Sequence, residues 1–93
     1  MNKINLGVVG ASGLVGSKLS LLMEQLNLPI DQLRVFGKST IGTVIKFAGR
    51  KLEVKSIDGA NFKDLDYVIF SAGSEVASKF CKKAVSDGAF VID

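Results

Sequence analysis

The stretch that decides the fold runs from Ile4 to Gly16 and reads INLGVVGASGLVG. Its first part, Ile4–Val9, is an apolar run typical of a strand buried on both faces of a sheet. Glycines follow at positions 10, 13 and 16, and an amphipathic helix is predicted directly after them. A glycine-rich turn between a buried strand and a helix is the context that a dinucleotide-binding loop requires.

The helix after this turn is predicted from apolar residues spaced by four, three and four. They are Val15, Leu19, Leu22 and Leu26. Asn27 and Pro29 then end the helix, because proline cannot continue it. We therefore expect these four side chains to form the buried stripe of the first helix.

Short strands and a hairpin are predicted in the middle of the chain. Leu33–Phe36 is a second core strand and Tyr67–Phe70 a third. Between them, Thr43–Phe47 and Lys51–Lys55 flank a turn in which Gly49 supplies the unusual backbone angle, which predicts an antiparallel hairpin.

A second helix is predicted from Ser74, an N-cap residue, to the turn Asp87-Gly88. A last strand follows at Ala89–Ile92. The apolar stripe of this helix pairs neighbouring residues at four-residue steps: Val76 and Ala77, Phe80 and Cys81, Ala84 and Val85.

The order strand, helix, strand, hairpin, strand, helix, strand predicts an α/β fold with a mostly parallel, Rossmann-like sheet. Residues 1–93 are too few for two domains, so we expect one dinucleotide-binding domain. Because such a domain usually has two halves, the pattern indicates an incomplete one, from a truncated chain or gene fragment.

Composition excludes several functional classes. The chain has one cysteine and no histidine, which excludes a disulfide framework, a zinc site built from Cys and His, and a catalytic triad that needs imidazole. No metal site is expected. The net charge is only +3 and the lysines are scattered, so we expect no nucleic-acid partner. No signal peptide or membrane span is evident, and a cytoplasmic location is expected.

The glycine spacing gives the strongest functional signal. Gly10 allows the sharp turn, Gly13 leaves the backbone bare where a diphosphate would press on it, and Gly16 permits close packing of the helix. Free N–H groups of the first helical turn would then face the phosphates, and Ser12 could add a hydroxyl donor. The alternative is a glycine-rich turn that only eases packing.

The loop after the second strand favours NADP over NAD. Sites specific for NAD carry an acid there, about 20 residues after the glycine motif, to hold the ribose 2′-hydroxyl. This chain has no acid at that position and instead carries Lys38, Ser39 and Thr40, which would attract a 2′-phosphate. The alternative is that Lys38 is a solvated loop residue.

Two further groups of residues bear on a site. Ser71, Ala72 and Gly73 stand between the third core strand and the second helix, where small residues leave room for a ligand. Cys81 lies on an apolar stripe and is interpreted as structural. The acids near the third strand, Asp64 and Asp66, are interpreted as turn and cap residues.

The chain resembles the amino-terminal part of bacterial aspartate-semialdehyde dehydrogenases. The resemblance covers nearly all of the chain and rests on these segments: Val8–Gly16, Leu28–Arg34, Ile45–Lys51, Phe62–Asp66, Phe70–Ser74 and Ala89–Asp93. Members of this family reduce aspartyl phosphate to aspartate semialdehyde with NADPH, a step toward lysine, threonine, methionine and diaminopimelate, and the resemblance implies a homodimeric or homotetrameric parent enzyme.

The resemblance also implies which residues bind the cofactor. Ser12, Gly13, Leu14 and Val15 match the family's cofactor loop, and Ser71, Ala72 and Gly73 match its second cofactor contact. Relatives commonly place an arginine in the 2′-phosphate loop, where Lys38 stands here as a point charge. The family's catalytic cysteine, histidine and arginines all come later than Asp93, so the resemblance implies that this chain has no catalytic residues.

Two alternatives stay open at this point. N-acetyl-γ-glutamyl-phosphate reductase shares the architecture, but its members typically carry an aromatic residue where Leu14 stands. A nucleotide-binding module without catalysis would keep the fold alone.

Overall fold

A computed structural model describes residues 3–11, 14–71 and 74–92. The described elements, in chain order, are β1 (Ile4–Val9), α1 (Leu14–Leu26), β2 (Ile30–Gly37), β3 (Val44–Phe47), β4 (Arg50–Glu53), β5 (Lys55–Ser56), β6 (Tyr67–Phe70), α2 (Ser74–Ser86) and β7 (Phe90–Ile92).

The main sheet has five parallel strands in the order β5-β2-β1-β6-β7. β1 lies at its centre, with Val8 opposite Val35 of β2 on one side and Ile69 of β6 on the other. Helix α1 is the crossover from β1 to β2, and helix α2 is the crossover from β6 to β7. The α/β fold with a Rossmann-like parallel sheet is therefore confirmed.

The sheet separates two apolar cores. Val8 packs with Met23 of α1, whereas its neighbour Val9 packs with Phe80 of α2. Because successive side chains of a strand point to opposite faces, α1 and α2 cover opposite faces of the sheet. The prediction that Ile4–Val9 contributes to both faces is confirmed.

The hairpin of β3 and β4 covers α1 rather than extending the sheet. Phe47 is fully buried in the same core as Met23. The Ala48 N–H donates to the Ser20 hydroxyl of α1 at 2.8 Å, and the Arg50 guanidinium donates to the Ile30 and Asp31 carbonyls. The predicted antiparallel hairpin is confirmed, with Gly49 at a φ of +81°.

The predicted stripe of α1 is wrong in its second half. Leu22 and Leu26 are 49% and 58% exposed, whereas Met23 is only 6% exposed. Leu19 and Met23, one turn apart, face the sheet and the hairpin. The spacing of the leucines fitted a helix, but the hairpin and the sheet approach α1 from a slightly different side.

The stripe of α2 is confirmed only in part. Phe80 and Ala84 are buried and Cys81 is half-buried, but Val85 is 61% exposed. The side chains of Val76 and Ala77 lie outside the described residues.

Element boundaries differ from prediction mainly at β2 and after β4. β2 begins at Ile30, directly after Pro29, and is longer than the apolar run 33–36. The predicted strand over 51–55 is split at Val54, which turns the chain from the hairpin to the sheet edge and is buried there. The short strand that follows, β5, was not predicted from the sequence.

Candidate dinucleotide-binding site

The carboxyl end of β1 turns sharply at Gly10. Its φ is +84°, a conformation that side-chain-bearing residues rarely adopt, and its N–H donates to the Phe36 carbonyl of β2 at 2.9 Å. Helix α1 begins only four positions later, at Leu14. The predicted turn at Gly10 is confirmed, whereas its contact with a cofactor stays a prediction.

The first turn of α1 lies directly against this loop. A Cβ placed on Gly16 would stand 2.3 Å from the carbonyl oxygen of Ala11 and 2.8 Å from its Cα. Because these are backbone atoms, no side-chain movement could relieve the clash. The predicted close packing at Gly16 is confirmed, and it brings the first N–H groups of α1 to the carboxyl edge of the sheet.

Several predicted cofactor residues cannot be placed. Ser12, Gly13, Ala72 and Gly73 lie outside the described residues. Leu14 and Val15 form the start of α1, but nothing is described of their side chains.

Ser71 joins the second loop to the first. It follows β6, whose last residue Phe70 pairs with Val9 of β1. The Ser71 N–H donates to the Val9 carbonyl at 2.9 Å, and the Ser71 hydroxyl lies 3.0 Å from the carbonyl oxygens of both Val9 and Gly10. The structure therefore brings the carboxyl ends of the two central strands together.

Two helices begin at this edge of the sheet. α1 follows β1 and α2 follows β6, and the two strands are adjacent and parallel. The positive ends of both helix dipoles therefore lie at the carboxyl edge, on opposite sides of the sheet. Open α/β sheets bind ligands at this edge, where neighbouring connections diverge.

The loop predicted to read the 2′-phosphate follows β2, the strand beside β1. Lys38 and Ser39 are exposed, and Thr40 is half-buried. The Thr40 carbonyl accepts hydrogen bonds from the N–H and the hydroxyl of Thr43, at 3.1 and 2.7 Å, which folds the loop back on itself. Within the part of the chain that is described, the Lys38 ammonium forms no ion pair.

Sequence reasoning missed the strand that borders this loop. β5 pairs with the end of β2, Ser56 lies opposite Gly37, and the Ile57 N–H donates to the Gly37 carbonyl at 3.0 Å. β5 has only two residues and no apolar pattern, so periodicity could not reveal it. It fixes the carboxyl end of β2 and so the start of the Lys38 loop.

The acids near β6 hold the opposite edge of the sheet. One Asp66 carboxylate oxygen accepts the Asn5 N–H at 2.7 Å, and the Asp64 carbonyl accepts the Asn5 side-chain amide at 3.0 Å. Asp64 lies in a turn, as predicted, whereas the Asp66 carboxylate contacts strand β1 instead of capping a helix. Cys81 packs against the α2 core, as the structural interpretation requires.

Among residues 3–11, 14–71 and 74–92, neither helix has the length and apolarity to cross a bilayer. In the same ranges no three side chains of the Cys, Asp and Glu type come together as ligands for a metal ion.

Comparison with known proteins agrees with this architecture. The aspartate-semialdehyde dehydrogenases of Rickettsia bellii and Campylobacter jejuni are 36% and 35% identical over 98% of this chain, and a USG-1 protein homolog of Azotobacter vinelandii is 32% identical over 97%. The chain spans only 27% of the length of these relatives.

Solved structures show the same fold. Aspartate semialdehyde dehydrogenase II of Vibrio cholerae, complexed with ASA, superposes with a TM-score of 0.92 at 26% identity, over all of this chain and 28% of its own. A probable aspartate-semialdehyde dehydrogenase of Pseudomonas aeruginosa gives 0.91 at 30% identity, over 99% of this chain and 28% of its own. The model of the semialdehyde dehydrogenase NAD-binding domain matches residues 5–93, and this chain belongs to that family.

Proposed function

We propose that this chain is the NADP-binding part of an aspartate-semialdehyde dehydrogenase, the enzyme that reduces L-aspartyl phosphate to L-aspartate 4-semialdehyde with NADPH in the biosynthesis of lysine, threonine, methionine and diaminopimelate. Family membership over residues 5–93 supports the binding role. The relatives named as aspartate-semialdehyde dehydrogenases favour this reaction over that of N-acetyl-γ-glutamyl-phosphate reductase.

The observation that carries the binding role is the tight corner where β1 meets α1. Gly10 turns the chain and Gly16 lets the start of α1 approach the Ala11 backbone closely, so the first main-chain N–H groups of the helix lie near the carboxyl end of β1, where they would attract an anion. These features fit a diphosphate. We assign its binding to the following residues: Gly10, Ser12, Gly13, Leu14 and Val15.

The rest of the cofactor is assigned to the neighbouring loops. Lys38, Ser39 and Thr40 would hold the 2′-phosphate, and the loop that contains Ser71, Ala72 and Gly73 would form the second contact. When bound, the reduced cofactor supplies a hydride to the substrate. The residues of this chain bind and orient the cofactor, and the 93-residue sequence offers no histidine for proton transfer.

We accordingly treat residues 1–93 as one dinucleotide-binding domain and assign catalysis and dimerisation to other parts of the enzyme. The parent enzyme is proposed to be a cytoplasmic homodimer or homotetramer whose partners are small molecules, with no nucleic-acid or membrane partner.

Thermal unfolding of the 93-residue chain with NADP, with NAD and without ligand tests the proposal. A ligand that binds only the folded state raises the midpoint, by about 5 °C or more at concentrations well above its Kd. We expect a larger shift with NADP than with NAD, because the Lys38 ammonium attracts the additional phosphate. No shift with either ligand would overturn the binding role, and a shift with NAD at least as large would overturn the preference.

The variant Lys38→Glu sharpens this test. It should weaken NADP binding by about tenfold or more while leaving NAD binding nearly unchanged, since a carboxylate repels the 2′-phosphate. Lys3→Glu is the matched control, because Lys3 is also exposed but precedes β1 at the opposite edge of the sheet. Equal effects of the two variants would show that Lys38 acts only through net charge.

A further inference from the structure

The Ser71 hydroxyl is bonded to the main chain of the neighbouring loop. Its oxygen lies 3.0 Å from the Val9 carbonyl oxygen and 3.0 Å from the Gly10 carbonyl oxygen. The side chain is half-buried at the carboxyl edge of the sheet. Since both neighbours are acceptors, the hydroxyl must be the donor in this contact.

A serine hydroxyl has one proton, and here two carbonyls share it. If Ser71 donated to a cofactor phosphate, both of these contacts would be lost. The family resemblance implies that Ser71 contacts the cofactor, but the hydroxyl proton of Ser71 is already donated within the protein.

The hydrogen bond from Ser71 to the Gly10 carbonyl determines how the Gly10–Ala11 peptide is oriented. Gly10 is held on its other side, where its N–H donates to Phe36 of β2. Because the peptide unit is planar and trans, fixing the Gly10 carbonyl also fixes the direction of the Ala11 N–H. Ser71, which is 61 residues away along the chain, thus sets the orientation of the first amide after the turn.

We propose that Ser71 is a positioning residue, which orders the Gly10–Ala11 peptide for diphosphate binding without donating a hydrogen bond to the cofactor. This proposal rests on the proposed function, since it assumes that the corner between β1 and α1 binds the diphosphate. It changes the predicted role of Ser71 from a ligand of the cofactor to a support for the residues that bind it.

Equilibrium titrations with three probes separate this role from the alternatives. NADP carries every group, ADP carries the diphosphate without the nicotinamide half, and adenosine 2′-monophosphate carries the 2′-phosphate without the diphosphate. We expect Ser71→Ala to weaken NADP and ADP by the same factor, about five- to tenfold, and to leave adenosine 2′-monophosphate unchanged. Ser71→Thr, which keeps the hydroxyl, should restore most of the affinity.

Ser20→Ala is the control for a purely structural effect. The Ser20 hydroxyl accepts one backbone hydrogen bond, from the hairpin, so its loss should lower the unfolding temperature but leave all three affinities unchanged at temperatures well below unfolding. Ser71→Ala, in contrast, should change the affinities for the two diphosphate probes under the same conditions.

Other outcomes overturn the proposal. Loss of NADP affinity with ADP affinity intact would mean that Ser71 contacts the nicotinamide half directly, and equal loss for all three probes would mean a general structural defect. Unchanged affinities for all three probes would mean that the Gly10–Ala11 peptide keeps its orientation without the Ser71 hydroxyl. If the unsubstituted chain binds none of the probes, the proposed function itself fails, which is a different result.

Discussion

A side chain at position 16 would have no space, because its Cβ would stand 2.3 Å from the Ala11 carbonyl oxygen. We predict that Gly16→Ala destabilises the chain by about 1–3 kcal/mol, since α1 must shift away from the loop. Urea unfolding measures this loss. Because the same shift moves the start of α1 away from the carboxyl end of β1, NADP affinity should fall in parallel.

Gly59→Ala is a suitable comparison for that variant. Gly59 has a positive φ of +75°, and a Cβ there would meet nothing within 4 Å. Its cost should be limited to the backbone conformation, about 1 kcal/mol, with no change in NADP affinity. If Gly16→Ala were as mild as Gly59→Ala in both measurements, the close packing at the corner would be wrong.

Asp87 links the end of α2 to the loop before β6. One of its carboxylate oxygens accepts the Lys83 ammonium at 3.0 Å and the Phe62 N–H at 3.2 Å. These hydrogen bonds, first that of Lys83, lower the pKa of Asp87 from 3.8. A lowered folded-state pKa stabilises the fold above the unfolded-state value, and this contribution is lost as the pH falls through the folded-state pKa.

We therefore expect the Asp87→Asn variant to have a lower free energy of unfolding than the unsubstituted chain near neutral pH. In strong acid the difference between the two free energies should become small. Unfolding free energies measured between about pH 7 and about pH 2 give the comparison. Asp58→Asn is the control, because the Asp58 carboxylate is exposed and its ion pair with Lys79 is long, at 4.0 Å. A stability difference for Asp87→Asn that stayed constant across the pH range would contradict the assignment.

The two faces of α1 differ in what they contribute to stability. Met23 is buried between the sheet and the hairpin, whereas Leu22 is half exposed. We predict that Met23→Ala costs about 2–5 kcal/mol. Leu22→Ala should cost less than about 1 kcal/mol.

Urea unfolding of the two variants tests which face of α1 is buried. Both variants remove an apolar side chain, and the two positions are adjacent in one helix. Helix propensity favours alanine in both cases, so the difference between them reports burial. If Leu22→Ala were the more damaging change, the buried stripe would be the one that the leucine spacing predicted.

The elements that the sequence predicts well are those with a strong local pattern. β1, β6 and α2 combine an apolar run or stripe with clear end signals in the sequence, such as the glycine at position 10 and the serine at position 74, where α2 begins. The face of α1 was only half predictable, because residues 19, 22, 23 and 26 are all apolar and the choice among them depends on what docks against the helix.

The sequence predicts those parts of the candidate site that lie within one short segment. It does not predict the contacts between residues that are far apart along the chain. The glycines at 10 and 16 carry their own signal, since turn and close packing both demand a missing Cβ. The contact of Ser71 with Gly10 joins residues 61 positions apart. Strand β5 is defined by its pairing with the end of β2. No local pattern encodes either.

For the molecule as a whole, binding and catalysis should be separable. We predict that the 93-residue chain binds NADP but shows no substrate-dependent oxidation of NADPH, because it has no histidine and its one cysteine, Cys81, packs in the α2 core. A coupled assay with aspartyl phosphate, run beside a full-length dehydrogenase as positive control, measures this. Turnover by the isolated chain would disprove the division of roles.

The most direct measurement is an amide-resolved NMR titration of the isotope-labelled chain with NADP. If main-chain amides at the start of α1 hold the diphosphate, the largest shifts should fall on residues 10–16 and 71–74, with smaller ones at 38–40 and none at the opposite edge near Asn5 and Asp66. Shifts confined to other regions, or none at saturating NADP, would contradict the central claim.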